Sequence, residues 1–129
     1  MNEQRLLLIE DSALLRERIT AMLTVPGLMQ VAASADTEGA AVARIIAEHF
    51  DVMIVDVELR EGSGINVIRA ARGLNGTRPR PLIIVLTNYS LPAVRERCMA
   101  AGADHFLDKM QQFSELRPLI ESALREQRH

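Results

Sequence analysis

Polar residues with the chemistry for phosphoryl transfer follow separate apolar runs in this sequence. Two acids come after the first run, and an acid, a hydroxyl and an amine come after three of the later ones. The five residues are Glu10 and Asp11 after the first run, Asp56 after the third, Thr87 after the fourth and Lys109 just beyond the fifth. If these runs are neighbouring strands, their ends bring the five side chains into one crevice.

Three carboxylates in one crevice repel each other unless a cation or a proton offsets their charge. Magnesium is the expected cation, because it favours oxygen ligands and binds through one or two carboxylates together with phosphate oxygens. An ionised aspartate can then attack phosphorus and form an acyl phosphate. The ammonium of Lys109 would neutralise phosphoryl oxygens, and the hydroxyl of Thr87 would donate a hydrogen bond to one of them.

The apolar runs have the length and composition of doubly covered parallel strands. They are Leu6–Ile9, Val31–Ala33, Val52–Val55, Leu82–Leu86 and Phe106–Leu107. Segments with apolar residues three and four apart lie between and after them and predict five amphipathic helices. The stripes are Leu14, Leu15, Ile19, Met22 and Leu23; Ala41, Val42, Ile45 and Ile46; Ile65, Val67 and Ile68; Val94, Cys98 and Met99; and Leu116, Leu119, Ile120 and Leu124. This order predicts a flavodoxin-like (βα)5 fold, a doubly wound α/β domain with a parallel five-stranded sheet.

Residues that punctuate secondary structure agree with these boundaries. The stretch from Gly76 to Pro81 separates the third helix from the fourth strand, and Gly102 closes the fourth helix. Ser90 is the predicted N-cap of that helix. Ser114 is the predicted cap of the fifth helix, which leaves Pro118 in the first turn, where a missing N–H is tolerated.

Composition limits the classes of function. The chain has 129 residues, and we expect one domain over residues 1–129 with no output domain. Basic residues are mixed with acids at a net charge of -2, so direct binding of nucleic acid is not expected. The apolar runs are too short to span a membrane, and a single cysteine with no signal segment indicates the cytoplasm.

At this point the chain resembles the receiver-domain family of two-component signalling over nearly its whole length. In that family an acidic pair follows the first strand, the phosphoaccepting Asp ends the third, Thr or Ser ends the fourth, and Lys follows the fifth. A glycine eight residues beyond the phosphoacceptor and an aromatic residue on the fifth strand complete the pattern. These positions correspond here to Glu10, Asp11, Asp56, Thr87, Lys109, Gly64 and Phe106.

The resemblance implies that Asp56 is the phosphoacceptor and that magnesium is bound at the same place. The implied metal ligands are Glu10, through water, together with Asp11, Asp56 and the backbone carbonyl of Glu58. The donor would be a phosphohistidine on a sensor histidine kinase or a phosphotransfer protein.

The resemblance also implies a two-state switch carried by Thr87 and Phe106. In the family, phosphorylation moves the hydroxyl towards the phosphoryl group and turns the aromatic inward, which alters the surface of the fourth helix, fifth strand and fifth helix. Because Phe106 has no hydroxyl, its switching would be a packing event. The protein would either signal through this surface to a downstream protein target or relay or drain phosphate, and the sequence does not choose between these outputs. In each case it would be a switch rather than a turnover enzyme.

The sequence departs from the family at several positions. Met110 follows Lys109 where proline is common, often with a cis bond, which leaves the shape of that loop open. Asn88 stands where a smaller residue is usual. These departures motivate an alternative, a receiver-fold interaction module that is not phosphorylated. Tyr89 lies two residues beyond Thr87, a position that influences attack by water, and we hypothesise that it lengthens the phosphorylated lifetime.

Enzymes on similar folds fit the sequence less well. A phosphatase of the haloacid-dehalogenase type would need Asp two residues after its nucleophilic Asp, and Glu58 stands there instead. A flavodoxin would need a phosphate-binding loop after the first strand, where Glu10 and Asp11 would repel the phosphate. It would also need aromatic residues to enclose the flavin, and these make up only 3% of the chain.

Overall fold

A computed structural model of the protein describes residues 3–74 and 79–126, in which five strands alternate with five α-helices. The strands are β1 (Gln4–Ile9), β2 (Met29–Ala35), β3 (Val52–Val55), β4 (Leu82–Thr87) and β5 (His105–Asp108). The helices are α1 (Ala13–Leu23), α2 (Glu38–Ala47), α3 (Gly64–Gly73), α4 (Pro92–Ala101) and α5 (Leu116–Glu126), and a 3-10 turn (Phe113–Glu115) precedes α5. Gly76, predicted to help separate α3 from β4, lies outside the described residues.

The five strands form one parallel sheet in the order β2-β1-β3-β4-β5, which confirms the predicted flavodoxin-like fold. Backbone pairing continues one residue past the strands at their carboxyl ends. The N–H of Asp56 donates to the carbonyl oxygen of Ile9 at 3.0 Å, and the N–H of Lys109 donates to that of Thr87 at 2.9 Å. The residues that follow neighbouring strands are therefore held side by side at one edge of the sheet.

Helices cover both faces of the sheet. Successive strand residues point to opposite faces, so each strand contributes to two cores. In β1, Leu7 faces a core shared with α2, α3 and α4, whereas Leu8 faces a core shared with α1 and α5. Cys98 of α4 is fully buried in the first core, and this burial raises the pKa of its thiol. Among the described residues, no helix combines the length and hydropathy needed to cross a bilayer.

Three residues counted in the predicted apolar stripes are on the surface. Leu14 is 67% exposed, Ile46 is 61% exposed and Met99 is 36% exposed. Each follows or precedes another apolar residue of the same stripe, and neighbours on a helix point about 100° apart, so only one of the two can face the core. The prediction was wrong for these three positions.

The predicted start of α4 needs correction. Leu91, not Ser90, occupies the N-cap position, and no side chain caps the helix there. Pro92 is favoured as the first helical residue, which moves the boundary one residue beyond Ser90. The hydroxyl of Ser90 instead donates to the carboxylate of Asp108 at the end of β5. This bond ties the loop after β4 to the last strand.

Other boundaries also differ from the prediction, and β1, for example, begins two residues before Leu6. Strand β2 is longer than the predicted Val31–Ala33, because its outer residues alternate between buried and exposed at the edge of the sheet and extend no apolar run. Helix α5 begins at Leu116, after the 3-10 turn that contains Ser114. Pro118 is the third residue of α5 and so lies in its first turn, as predicted.

Candidate functional site

Three acidic residues meet at the carboxyl edge of the sheet. One carboxylate oxygen from each of Glu10, Asp11 and Asp56 lies within 4.8 Å of the others. Within the described residues this is the one group of three acids, histidines or cysteines with such spacing. Glu10 and Asp56 are buried and Asp11 is exposed, so the cluster opens to solvent on the side of Asp11. The predicted convergence of the three acids is confirmed.

Residues at the start of α1 hold Glu10 in place. The N–H of Ser12 donates to Glu10 Oε2 at 3.0 Å, and the hydroxyl of Ser12 caps α1 by accepting the N–H of Leu15. Arg16 Nη1 donates to the carbonyl oxygen of Glu10 at 2.8 Å. We did not predict either role, although a serine just before a helix is a recognised capping signal. Nothing in the local sequence pattern singles out Arg16.

The ammonium of Lys109 lies between two of the carboxylates. Its Nζ is 2.6 Å from Glu10 Oε1 and 2.8 Å from Asp56 Oδ2, and its side chain is 7% exposed. Burial alone would lower the pKa of Lys109, but the hydrogen bonds and charges of Asp56 and Glu10 outweigh this effect and raise it. Lys109 therefore stays protonated and available to an incoming anion.

The loop after Lys109 takes its shape from Asp108 and not from a proline. Asp108 Oδ1 accepts the N–H of Met110 at 2.8 Å and that of Gln111 at 3.2 Å, as aspartates do in turns. No peptide bond in the described residues is cis, so the bond between Lys109 and Met110 is trans. The loop can thus present Lys109 to the acids without the family's usual proline.

The charges at this edge are not balanced. Burial is the main cause that raises the pKa of Glu10, and the nearby charge of Asp56 adds to it, against the opposing effects of Lys109 and the N–H of Ser12. When all three acids are ionised, they exceed the single ammonium by two negative charges. A divalent cation matches this excess and favours the ionised acids.

Asp56 is packed closely against the start of α3. A Cβ atom added to Gly64 would lie 2.1 Å from the carbonyl oxygen of Asp56, so this approach requires glycine. Asp56 Oδ1 accepts the N–H of Glu58 at 3.3 Å, and Oδ2 accepts from Lys109. One carboxylate oxygen of Asp56 is therefore oriented by the loop after β3, and the other by the residue that follows β5.

Thr87 lies on β4, the strand next to β3, and Phe106 lies on β5, one strand further from Asp56. Thr87 is fully buried at the end of β4, and its Oγ1 accepts the N–H of Tyr89 at 3.1 Å. Phe106 is 8% exposed in the core shared with α4, and the guanidinium carbon of Arg95 lies over its ring, 5.8 Å from the centroid. The Tyr89 side chain is 42% exposed.

Curated proteins match this chain over more than nine-tenths of its length. The two-component response regulator PhoP of Pseudomonas aeruginosa is 34% identical over 121 residues, which cover 94% of this chain and 52% of PhoP. A cyclic di-GMP phosphodiesterase of Thermotoga maritima is 32% identical over 119 residues, which cover 92% of this chain and 30% of that protein. The chain thus spans about half or less of the length of these relatives.

Comparison with solved structures agrees. A CheY-like response regulator receiver domain from Methanospirillum hungatei has a TM-score of 0.84 and 25% identity, covering 98% of both chains. The receiver domain of sensor histidine kinase PA1611 from Pseudomonas aeruginosa, solved with magnesium in its active-site cleft, has a TM-score of 0.78 and 28% identity, covering 94% of this chain and 97% of that one. Residues 6–121 match the family described as response regulator receiver domain, and the chain belongs to that family.

Proposed function

We propose that this protein is a phosphorylation switch that accepts a phosphoryl group on Asp56 in a magnesium-dependent reaction. The observation that carries the proposal is the meeting of three carboxylates within 4.8 Å, with Lys109 Nζ 2.8 Å from Asp56 Oδ2. Receiver domains are phosphorylated by histidine kinases. The donor is accordingly a phosphohistidine on a sensor histidine kinase or a phosphotransfer protein.

The residues at the site fit a magnesium ion. Glu10 through water, Asp11, Asp56 and the carbonyl of Glu58 would form an all-oxygen ligand set of the kind that magnesium favours. The excess of two negative charges over Lys109 supports a divalent ion. Bound there, the ion would neutralise negative charge on the oxygens of an incoming phosphoryl group. The magnesium in the PA1611 receiver domain supports this assignment.

The chain's own residues carry the transfer. A carboxylate oxygen of Asp56 attacks phosphorus, the new O–P bond forms, and the P–N bond of the phosphohistidine breaks with its electron pair leaving on the imidazole. Lys109 neutralises charge on the phosphoryl oxygens, and Thr87 donates its hydroxyl to one of them. Because the phosphoryl group stays on Asp56 until water removes it, the protein acts on itself and is not a turnover enzyme.

The output is a change of surface. A phosphoryl group adds up to two negative charges to a site whose donors are fixed. A move of Thr87 towards that group would take its oxygen from the N–H of Tyr89 and leave space behind it for Phe106 to repack. These changes would alter the surface of α4, β5 and α5, which a downstream protein target then recognises. Only contacts that differ between the two states can drive this shift.

The proposal is tested with acetyl phosphate and magnesium, read by intact mass. We expect an adduct of about 80 Da on the wild type, no adduct on Asp56→Asn, and none on the wild type in EDTA. Beryllofluoride with magnesium should then shift amide resonances of α4 and β5. Absence of both the adduct and these shifts would contradict the proposal and favour the interaction module that is not phosphorylated.

A further inference from the structure

The loop between β3 and α3 (residues 57–63, the β3–α3 loop) is fastened from outside the site. It lies against the corner between β2 and α2 (residues 36–38, the β2–α2 corner). The N–H of Glu38 donates to the carbonyl oxygen of Glu61 at 2.9 Å, and the N–H of Arg60 donates to that of Asp36 at 3.3 Å. Arg60 Nε also lies 3.4 Å from Asp36 Oδ2. The loop that follows Asp56 therefore rests on a neighbouring unit of the fold.

The side chain of Glu38 makes the central contact of this junction. Its Oε1 accepts the N–H of Ser63 and the Nδ2 of Asn66, both at 3.0 Å. Gly62 has a φ of +82°, and a Cβ atom added there would lie 2.4 Å from Glu38 Cβ. The loop thus packs directly on Glu38, and only glycine permits both this conformation and this approach.

Ser63 connects Glu38 to the residues beside Asp56. Ser63 and Glu58 form an antiparallel bridge across the β3–α3 loop, and the hydroxyl of Ser63 caps α3 by accepting the N–H of Ile65. Glu58 in turn donates its N–H to Asp56 Oδ1. A continuous series of hydrogen-bonded residues therefore leads from Glu38 through Ser63 and Glu58 to the carboxylate of Asp56.

We propose that Glu38 is a positioning residue for the magnesium site. It fixes Ser63, and through the bridge across the loop it fixes the backbone of Glu58 beside Asp56. The proposal rests on the proposed function, since it concerns the carbonyl assigned there to the ion. A ligand that must be ordered at the moment of binding weakens affinity, because the ordering opposes the binding free energy.

The effect should be moderate, because Glu38 acts through the loop and touches neither Asp56 nor the ion site. Loss of a residue that supports a metal ligand directly lowers affinity by about 10- to 100-fold. We expect the magnesium dissociation constant to rise by about three- to tenfold when the contact to Ser63 is lost. The change should occur in the absence of any phosphodonor.

The test separates the reach of the side chain from its charge. Glu38→Gln keeps an oxygen at the same distance without the charge, whereas Glu38→Asp keeps the charge but is one methylene too short to reach Ser63. Glu38→Ala removes both. Glu61→Ala is the matched control, since this exposed acid lies in the same loop and its side chain makes no hydrogen bond or ion pair with the rest of the described chain.

Magnesium dissociation constants are measured by NMR titration of the amide resonances, with thermal unfolding as the check on folding. We expect weaker binding in Glu38→Asp and Glu38→Ala, and binding within about twofold of wild type in Glu38→Gln and Glu61→Ala. Amide hydrogen exchange should accelerate in residues 57–63 of the two weakened variants. If Glu38→Ala does not fold, Glu38→Asp decides the question.

Two results would overturn the inference, and they are distinguishable. If the wild type binds magnesium and is phosphorylated, but folded Glu38→Asp binds the ion as tightly, Glu38 has no positioning role. Equal weakening in Glu38→Gln and Glu61→Ala would show that only charge matters and would also overturn it. If the wild type itself binds no magnesium, the proposed function fails and the inference fails with it.

Discussion

The two edges of the sheet each carry carboxylates beside cations, but in opposite balance. At the carboxyl edge three acids cluster beside one ammonium, that of Lys109, which pairs with Glu10 and Asp56. At the amino edge Asp104 alone accepts from two guanidinium groups, Arg72 Nη2 at 2.9 Å and Arg80 Nη2 at 3.1 Å. The N–H of Ile83, at the start of β4, is a third donor to Asp104 at 2.8 Å. One edge therefore has too few cations for its acids, and the other has more than enough.

The pKa values move accordingly. Burial alone would raise the pKa of Asp104, but the N–H of Ile83 and the pairs with Arg80 and Arg72 prevail and lower it. For Glu10 burial prevails, and the pKa is raised. Carboxylates that are fully matched within the fold stabilise it, whereas carboxylates in excess are poised for a partner from outside. Perturbed acids of the second kind are the ones expected at functional sites.

The strongest test of this contrast is removal of the one ammonium at the carboxyl edge. Lys109→Ala should slow phosphorylation of Asp56 by acetyl phosphate about 100-fold, as does loss of a donor that stabilises developing charge. The measurement is a time course of intact mass, with circular dichroism to verify folding. Removal of Asp104 at the other edge, in Asp104→Asn, should leave the rate within about twofold. A rate for Lys109→Ala near that of the wild type would erase the distinction between the edges.

Removal of one acid from each edge should affect stability differently. Asp104→Asn should lose about 2 kcal/mol of unfolding free energy at pH 7, because Arg72 and Ile83 lose a charged acceptor. Asp56→Asn, in the crowded cluster, should not lose stability. Urea unfolding measures both variants. Comparable losses in the two would show that the acids at the carboxyl edge are also structural.

The sign of the pH dependence follows from the lowered pKa of Asp104. Its folded pKa lies below the ordinary value of 3.8, so the unfolded chain takes up a proton first as the pH falls. The stabilisation is therefore complete above about pH 5 and disappears as the pH falls through the folded pKa. The difference between wild type and Asp104→Asn should shrink over that acid range.

Magnesium should stabilise the protein through one edge only. At ten times its dissociation constant, the ion should raise the unfolding free energy of the wild type by about 1.4 kcal/mol. The increment should persist in Asp104→Asn and be lost in Asp11→Asn, and EDTA should reverse it. Urea unfolding with and without the ion provides the measurement. Equal stabilisation of Asp11→Asn would place the bound ion elsewhere.

The smallest expected effect concerns Tyr89, two residues beyond Thr87. If its ring limits access of water, Tyr89→Ala should shorten the phosphorylated lifetime by a few-fold, which is less than about 1 kcal/mol in the barrier. Tyr89→Phe retains the ring and should behave like the wild type. Leu91→Ala is the matched control, because Leu91 is also a large exposed residue and lies further along the same loop. An unchanged rate of phosphate loss in Tyr89→Ala would contradict the hypothesis.

The sequence predicted the carboxyl edge better than the amino edge, for a physical reason. Parallel topology alone brings the carboxyl ends of all the strands to one edge of the sheet, so Asp56 and Lys109 could be placed in one crevice although 53 positions separate them. The contact of Arg72 with Asp104 depends instead on the direction in which the long Arg72 side chain extends from the last turn of α3, and no periodicity encodes that. The same holds for Arg16 at the carbonyl of Glu10.

Local boundaries failed where two signals competed. Ser90 and Pro92 are both typical of the start of a helix. Because Pro92 is the first residue of α4, Ser90 lies outside the helix and its hydroxyl donates to Asp108. Leu14 and Leu15 both satisfied the helical spacing, and only the packing of α1 decides which of them faces the core. Side-chain partners and helix registers thus require the assembled fold.

The burial of Cys98 has a practical consequence for experiments on this protein. It is the sole cysteine of the chain, it is fully buried, and its thiol has a raised pKa, so it should resist maleimide and nitroxide reagents at neutral pH. A cysteine introduced on the surface of α4 could therefore carry a spin label or fluorophore without replacement of the native thiol. The natural sequence already serves as the background for spectroscopic distance measurements.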